Sequence, residues 1–246
     1  MCLVLAAVRV VPGHPLVLLA NRDEHYDRPA EPPRLRDPAA AGAPRFWCGS
    51  DLRAGGTWLG VNEAGVVVAL TNRPGAQDVA RPSRGGVPIA ALGARTAFDG
   101  ARRGADEAVR VGPNPFSLLV ADRTGAWFVA HEGGTSAPRV AALEPGLRTH
   151  TNTHDVDGLP AEVVLAASGC GPEALRAAAS LDGAFDVLRR VAPSHAPLDG
   201  TRAAACVHAG WRGTVSSALV ALPDRGRPVY LHAQGAPCAA PYVRVV

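Results

Sequence analysis

The sequence predicts an α+β fold of antiparallel sheets with helices on their outer faces, and three observations carry that expectation. Apolar runs recur in pairs around short polar turns, which is the pattern of β-hairpins. Helical signals gather in two blocks, each between sets of strands, an order that does not suit a doubly wound parallel sheet. No linker-like shift of composition divides the 246 residues, so a single domain, 1–246, is expected.

The first pair of runs covers residues 2–10 and 14–20 and turns at Pro12-Gly13. Residues 29–55 are rich in proline and glycine and lack periodicity, so a long surface loop is expected there, pinned to the body by Phe46, Trp47 and Cys48. Three later hairpins follow: 56–61 with 66–70, 117–121 with 127–130, and 217–222 with 229–232, each joined by four polar turn residues. Helices are expected from Pro88 to about Phe98, over 99–110 after a break near Gly100, and over 160–167, 172–180 and 182–192. The last three open on Pro160, Pro172 and Asp182, residues suited to a helix N-terminus.

Composition removes several functions. All 25 basic residues are arginine, so there is no lysine for a Walker A phosphate loop, a pyridoxal phosphate Schiff base or a general base. The net charge of +3 is spread along the chain without a basic run longer than a pair, which argues against a nucleic-acid partner. The five cysteines form no C-x-x-C pair and are odd in number, so a reduced, cytoplasmic protein is expected rather than a disulfide framework. The apolar start is broken by Arg9 and reads as a strand rather than a signal peptide, and no apolar run is long enough to span a membrane.

The chemistry concentrates in the first twenty-eight residues. Cys2 directly follows the initiator methionine, so removal of Met1 would put a thiol and a free α-amine on one residue. That amine, with a reference pKa of about 7.7–8.0, can take the thiol proton without a histidine. The polar run Asn21-Arg22-Asp23-Glu24 stands where the second strand of the opening hairpin would end, which returns a guanidinium and carboxylates to the neighbourhood of Cys2. A guanidinium beside the thiol favours thiolate. His150 and His154, four apart, would share a metal only on a helix, and the next helical signal starts too late; no metal site is expected.

Asn21-Arg22-Asp23-Glu24 is the signature of the NRDE family, the family of the transport and Golgi organisation protein 2, which this chain resembles. The resemblance continues through residues 55–62, Thr71 to Pro74, Ser83-Arg84-Gly85, Leu147 to Asn152, and Cys206-Val207-His208 leading to Gly213-Thr214. The family is in turn similar to choloylglycine and penicillin V amidases, which implies a four-layer αββα sandwich of the N-terminal-nucleophile hydrolase type. By that similarity Cys2 is the nucleophile, Arg22 and Asp23 position its amine and the substrate, Asn72 donates to the oxyanion, and Asn152 holds the amine or carbonyl. Asparagine also commonly closes turns, and both Asn72 and Asn152 stand in such contexts. One departure from the family pattern is Val215, where relatives commonly carry arginine; Arg212 stands three places earlier.

Two functions follow as expectations. One is an N-terminal-cysteine hydrolase of a linear acyl-amide bond that needs no cofactor. The alternative, implied by the resemblance, is a non-catalytic protein that binds and transfers haem, lipid or acyl-CoA; for haem the sequence offers His25, Tyr26, Cys48, His208 or His232 as axial ligands and does not choose among them. In either case the partner is a small molecule, held where the Asn21–Glu24 run lines a cleft.

Overall fold

The chain opens as the expected hairpin: β1 (Leu3–Val11) pairs antiparallel with β2 (His14–His25), with Leu3 opposite Asn21. The structure is a computed structural model that describes residues 2–75, 77–154, 157–198 and 203–246. Contacts gather these into two compact units, one of residues up to 27 together with 145–246, the other of residues 28–144.

The second unit contradicts the expected loop over 29–55. That stretch contains β3 (Ala30–Arg36) and β4 (Phe46–Asp51), paired with each other. The prolines concealed β3. Pro32 and Pro33 fall where the register shifts between Glu31 and Arg34, on an edge strand, where a missing N–H costs no ladder bond. Phe46, Trp47 and Cys48 are all buried, so they do anchor the segment.

β5 (Leu59–Asn62), β6 (Val67–Asn72), β7 (Phe116–Ala121), β8 (Ala126–His131) and β9 (Arg139–Leu143) extend β3 and β4 into an antiparallel sheet in sequence order. α1 (Gly86–Leu92) and α2 (Ala97–Val111) bury Val87, Leu92, Ala101 and Ala108 against Val68, Phe116, Leu118 and Val120 of that sheet. The helical break falls at residues 93–96 rather than near Gly100, because Thr96 is extended and its side chain accepts from the Asp99 N–H to cap α2. Gly100 lies inside α2, where a Cβ would stand 3.0 Å from Val120, so the glycine permits close packing and does not end the helix.

Within the same unit Gly56 and Gly85 meet backbone to backbone, and a Cβ on either would overlap the other's main chain. The Thr57 N–H donates to the Gly85 carbonyl at 3.1 Å, joining two of the motifs that carry the family resemblance.

The first unit is completed by β10 (Gly146–Thr151), α3 (Ala161–Ala167), α4 (Leu181–Val191), β11 (His208–Ala209), β12 (Arg212–Leu222), β13 (Val229–Ala233) and β14 (Val243–Arg244). Its sheet runs β10-β1-β2-β12-β13-β14, with β11 paired to β12, all antiparallel. Leu3, Leu5, Leu19 and Leu219 pack on Val164, Leu165, Phe185 and Leu188 of α3 and α4. Each such side chain contributes about 1.5–3 kcal/mol when fully buried. Both faces of β1 and β2 are buried, which is why they read as continuous apolar runs.

The helix expected over 172–180 does not form. Residues 172–177 make turns that bury Leu175 in the core, a result in keeping with the marginal stability of so short a helix. The two antiparallel sheets and four helices of the described residues make the fold α+β. Among the described residues no helix is long and apolar enough to cross a membrane.

Candidate active site

β2 runs beyond its pairing with β1, so residues from Arg22 to His25 are held by β12. Cys2 sits at this step, immediately before β1, and is partly buried. Its Sγ lies 3.4 Å from the Asp23 N–H, which donates to it, and 3.5 Å from the Asp23 carbonyl, to which the thiol donates. Cys2 and Asp23 are therefore brought together, as the sequence predicts.

On the opposite edge of β2, Asp23 faces Thr214 of β12. Thr214 Oγ1 donates to Asp23 Oδ1 at 2.7 Å and accepts from the Val207 N–H at 2.9 Å. The register slips between Thr214 and Ser216, which makes Val215 the extra residue of a β-bulge. Arg22 is buried and 3.7 Å from Glu24. Arg212, two residues before Thr214, places its guanidinium 5.3 Å from the centre of the Trp211 ring, and its charge favours the Asp23 carboxylate.

The electrostatics depart from the expectation of a thiolate. Burial pushes the Cys2 thiol up to about 11, and the Asp23 carboxylate adds to that shift. The hydrogen bond from the Asp23 main chain and the Arg22 guanidinium oppose it and are outweighed. Cys2 is thus held as a neutral thiol at neutral pH. Burial also raises the Asp23 carboxyl above the usual carboxylate range, against the opposing hydrogen bond from Thr214 and the charge of Arg212. Met1 lies outside the described residues.

Asn152 follows β10 directly, one step past Thr151, which faces Leu3. Its Oδ1 is buried and has no hydrogen-bond partner among the described residues. Asn72 ends β6 in the other unit, exposed and in register with Phe116.

Asn21, the first letter of the signature, has a structural task that sequence reasoning did not assign. It is buried, its Nδ2 donates to the carbonyls of Ala192 (2.9 Å) and Ala205 (2.8 Å), and its Oδ1 accepts from Ser217 at 2.5 Å. Thr214 was also missed as the residue that orients Asp23; its only signal in the sequence is its place in the Gly213-Thr214 motif.

The named haem-ligand candidates differ in exposure. His25 stacks 4.3 Å from Trp211, Tyr26 is exposed, and Cys48 and His232 are buried. One grouping of the described residues could hold a metal, and it comprises His195, Cys206, His208 and Cys238. His150 and His154 are not in it.

The model of a family described as Transport and Golgi organisation 2 matches residues 1–156, which include Cys2, the Asn21–Glu24 run, Asn72 and Asn152. The chain belongs to that family. No curated protein matches it. Among solved structures, conjugated bile acid hydrolase from Clostridium perfringens, in a single-residue variant, superposes with a TM-score of 0.59 at 14% identity, covering 99% of this chain and 92% of that one. Its mutant C2A superposes at 0.55 and 12%, with the same coverage. Penicillin V acylase from Agrobacterium tumefaciens gives 0.52 and 14%, over 95% of this chain and 83% of its own. The Caenorhabditis elegans orthologue of N-acylethanolamine-hydrolyzing acid amidase gives 0.51 and 15%, over 91% and 94%. This member of the Transport and Golgi organisation 2 family thus has the N-terminal-nucleophile hydrolase fold that the resemblance implies.

Proposed function

We propose that the chain is an N-terminal-nucleophile amidohydrolase in which Cys2, made the first residue by removal of Met1, attacks a linear acyl-amide bond. The observation that carries this reading is the clasp of the Cys2 sulfur by the Asp23 main chain, beside a carboxylate that Thr214 holds in place.

A thiol kept neutral by its surroundings needs a base within reach, and the α-amine left by methionine removal is one, with an ordinary pKa of about 7.7–8.0. The amine takes the thiol proton as sulfur attacks the amide carbon. The resulting ammonium gives that proton to the departing amine. Relieved of it, the α-amine draws a proton from the water that attacks the thioester and returns it to the sulfur as the carbon–sulfur bond breaks, so that acid and the enzyme with its free thiol and amine are released. Asp23 and the Asn152 Oδ1 are the acceptors that would hold the ammonium. The acyl-amide class is taken from the solved relatives, whose names describe a penicillin V acylase, a conjugated bile acid hydrolase and an N-acylethanolamine amidase.

Intact mass spectrometry of the mature protein, followed by assay of wild type and Cys2→Ala against a panel of N-acyl amides, tests the proposal. The expected result is loss of Met1 and hydrolysis that disappears in the variant. Retention of Met1 would end the α-amine mechanism, and no hydrolysis by either protein while a haem Soret band forms equally in both would instead leave the chain a carrier.

A further inference from the structure

Four side chains with metal-binding atoms converge in the first unit from separate parts of the chain. His195 lies just past α4, Cys206 precedes β11, His208 is on β11, and Cys238 lies between β13 and β14. Their donor atoms all lie within 4.8 Å of one another. Cys206 Sγ is 3.7 Å from Cys238 Sγ, and His208 Nε2 is 3.2 Å from Cys238 Sγ and 3.9 Å from Cys206 Sγ.

These separations match one coordination geometry. Two sulfurs bound tetrahedrally to zinc at about 2.3 Å stand about 3.8 Å apart, and a sulfur and an imidazole nitrogen on the same ion about 3.5 Å. The sulfur pair meets the first value, and the two sulfur–nitrogen distances fall on either side of the second. A disulfide would need the sulfurs at about 2.0 Å, far closer than they stand.

The orientation of His195 is an independent observation. Its Nδ1 lies 2.9 Å from the Cys206 carbonyl, and as an N–H it donates there. That bond fixes the ring and leaves Nε2 as the lone-pair nitrogen, the arrangement in which a backbone carbonyl supports a metal-bound histidine. The rings of His195 and His208 are 5.2 Å apart, so both can serve one ion.

We propose that His195, Cys206, His208 and Cys238 form a structural zinc site. Four protein ligands close the coordination sphere and leave no position for substrate, which distinguishes a structural from a catalytic zinc. Two thiolates and two imidazoles suit zinc over the harder magnesium or calcium. Cys206 and Cys238 bind as thiolates, each releasing its proton to solvent as the metal enters, and nothing is oxidised. The site clips the segment after α4 and the segment before β14 to the β11 hairpin. Val207, between two of the ligands, is bonded in both directions to Thr214, the residue that holds Asp23. The clip therefore sits one residue from the support of the candidate nucleophile, yet it does not depend on Cys2 being catalytic.

The test is metal analysis of the full chain, reconstituted with zinc under reducing conditions and desalted, beside Cys238→Ser, His208→Ala and the control His154→Ala. One zinc per chain is expected in wild type and control, with loss of stoichiometric zinc in the two ligand variants. Cobalt(II) in wild type should show the intense visible bands of a tetrahedral site and thiolate-to-cobalt charge transfer. Cys238 and His208 are exposed, so their replacement should leave the core folded; if either variant fails to fold, the cobalt spectrum of wild type decides alone. Wild type without stoichiometric zinc, zinc retained in full by both ligand variants, or an octahedral cobalt spectrum would overturn the site.

Discussion

Thr214 Oγ1 donates a 2.7 Å hydrogen bond to Asp23 Oδ1 while accepting from the Val207 N–H at 2.9 Å. One buried hydroxyl thus uses its donor on the carboxylate beside Cys2 and its acceptor on the loop that leads into β12. The bulge at Val215 lets Thr214 face Asp23 while Ser216 faces Arg22, two residues held in register on either side of one extra.

Thr214→Val removes both bonds at nearly constant volume. It leaves the Val207 N–H without its side-chain acceptor and removes the Thr214 bond to Asp23, at an expected cost of about 1–3 kcal/mol in urea denaturation. Thr214→Ser keeps the hydroxyl and should recover most of that loss. Equal stability of the valine variant and wild type would show that the pair contributes nothing.

The neutral thiol makes a second expectation. In protein that keeps Met1, alkylation of Cys2 should rise about tenfold per pH unit through pH 8–10 and not level off at an ordinary thiol value, because burial and Asp23 hold it up to about 11. Asp23→Asn removes the opposing carboxylate while leaving the main-chain bonds to sulfur, so alkylation at pH 8 should become faster. A slower reaction in that variant would mean that Asp23 favours the thiolate, contrary to the charge arrangement seen here.

Asn21 supports a third. Its replacement by alanine strands the Ala192 and Ala205 carbonyls in a buried site, with Ser217 still held by Tyr242 at 2.6 Å. The expected loss is about 2–4 kcal/mol, read as a shift of the denaturation midpoint with unchanged slope. Any effect on hydrolysis should follow the folded fraction. A stable Asn21→Ala protein with lost activity would assign the residue to the reaction instead.

Asn21 also shows how far the sequence could be read. It was legible as part of a signature and, by position, as part of a cleft, yet its side chain turns to the Ala192 carbonyl at the end of α4 and to that of Ala205 in the segment before β11. Asn62 of the second unit behaves alike, donating to Leu92 and Ala94 at the end of α1 and accepting from the Val66 N–H. Each satisfies a carbonyl that a helix C-terminus leaves without an intrahelical donor, a need set by tertiary placement and invisible to periodicity. The hairpins were legible because turn chemistry and apolar runs are local. β3 was not, because its two prolines fall in a bulge, and the segment over 172–180 was not, because Leu175 is fixed by the core rather than by helix propensity. Cys2 and Asp23 could be placed together from the hairpin alone. Thr214 and the His195, Cys206, His208 and Cys238 cluster depend on pairing between distant segments, and no spacing in the sequence announces them.

A fourth expectation concerns acid stability. His150 on β10 is buried, and burial holds its imidazole down at about 4 from an ordinary 6.5, with the Asp157 carboxylate pulling up and Arg148 pushing down. Arg148 and Asp157 are themselves paired at 2.9 Å, which limits the help the carboxylate gives. The unfolded chain therefore binds a proton below about pH 6.5 that the folded chain refuses until about pH 4. This contribution to stability is complete above pH 6.5, falls by about 1.4 kcal/mol per pH unit below it, and levels off below about pH 4. Between pH 7 and pH 5 the loss should be about 2 kcal/mol from His150 alone. Burial shifts His131 and His232 in the same direction, so they steepen the fall. Denaturant titrations of wild type and His150→Gln at pH 7, 6 and 5 isolate the term by difference. The variant should lose close to one proton's worth of slope, whatever its stability at pH 7, and equal slopes in the two proteins would place the acid sensitivity elsewhere.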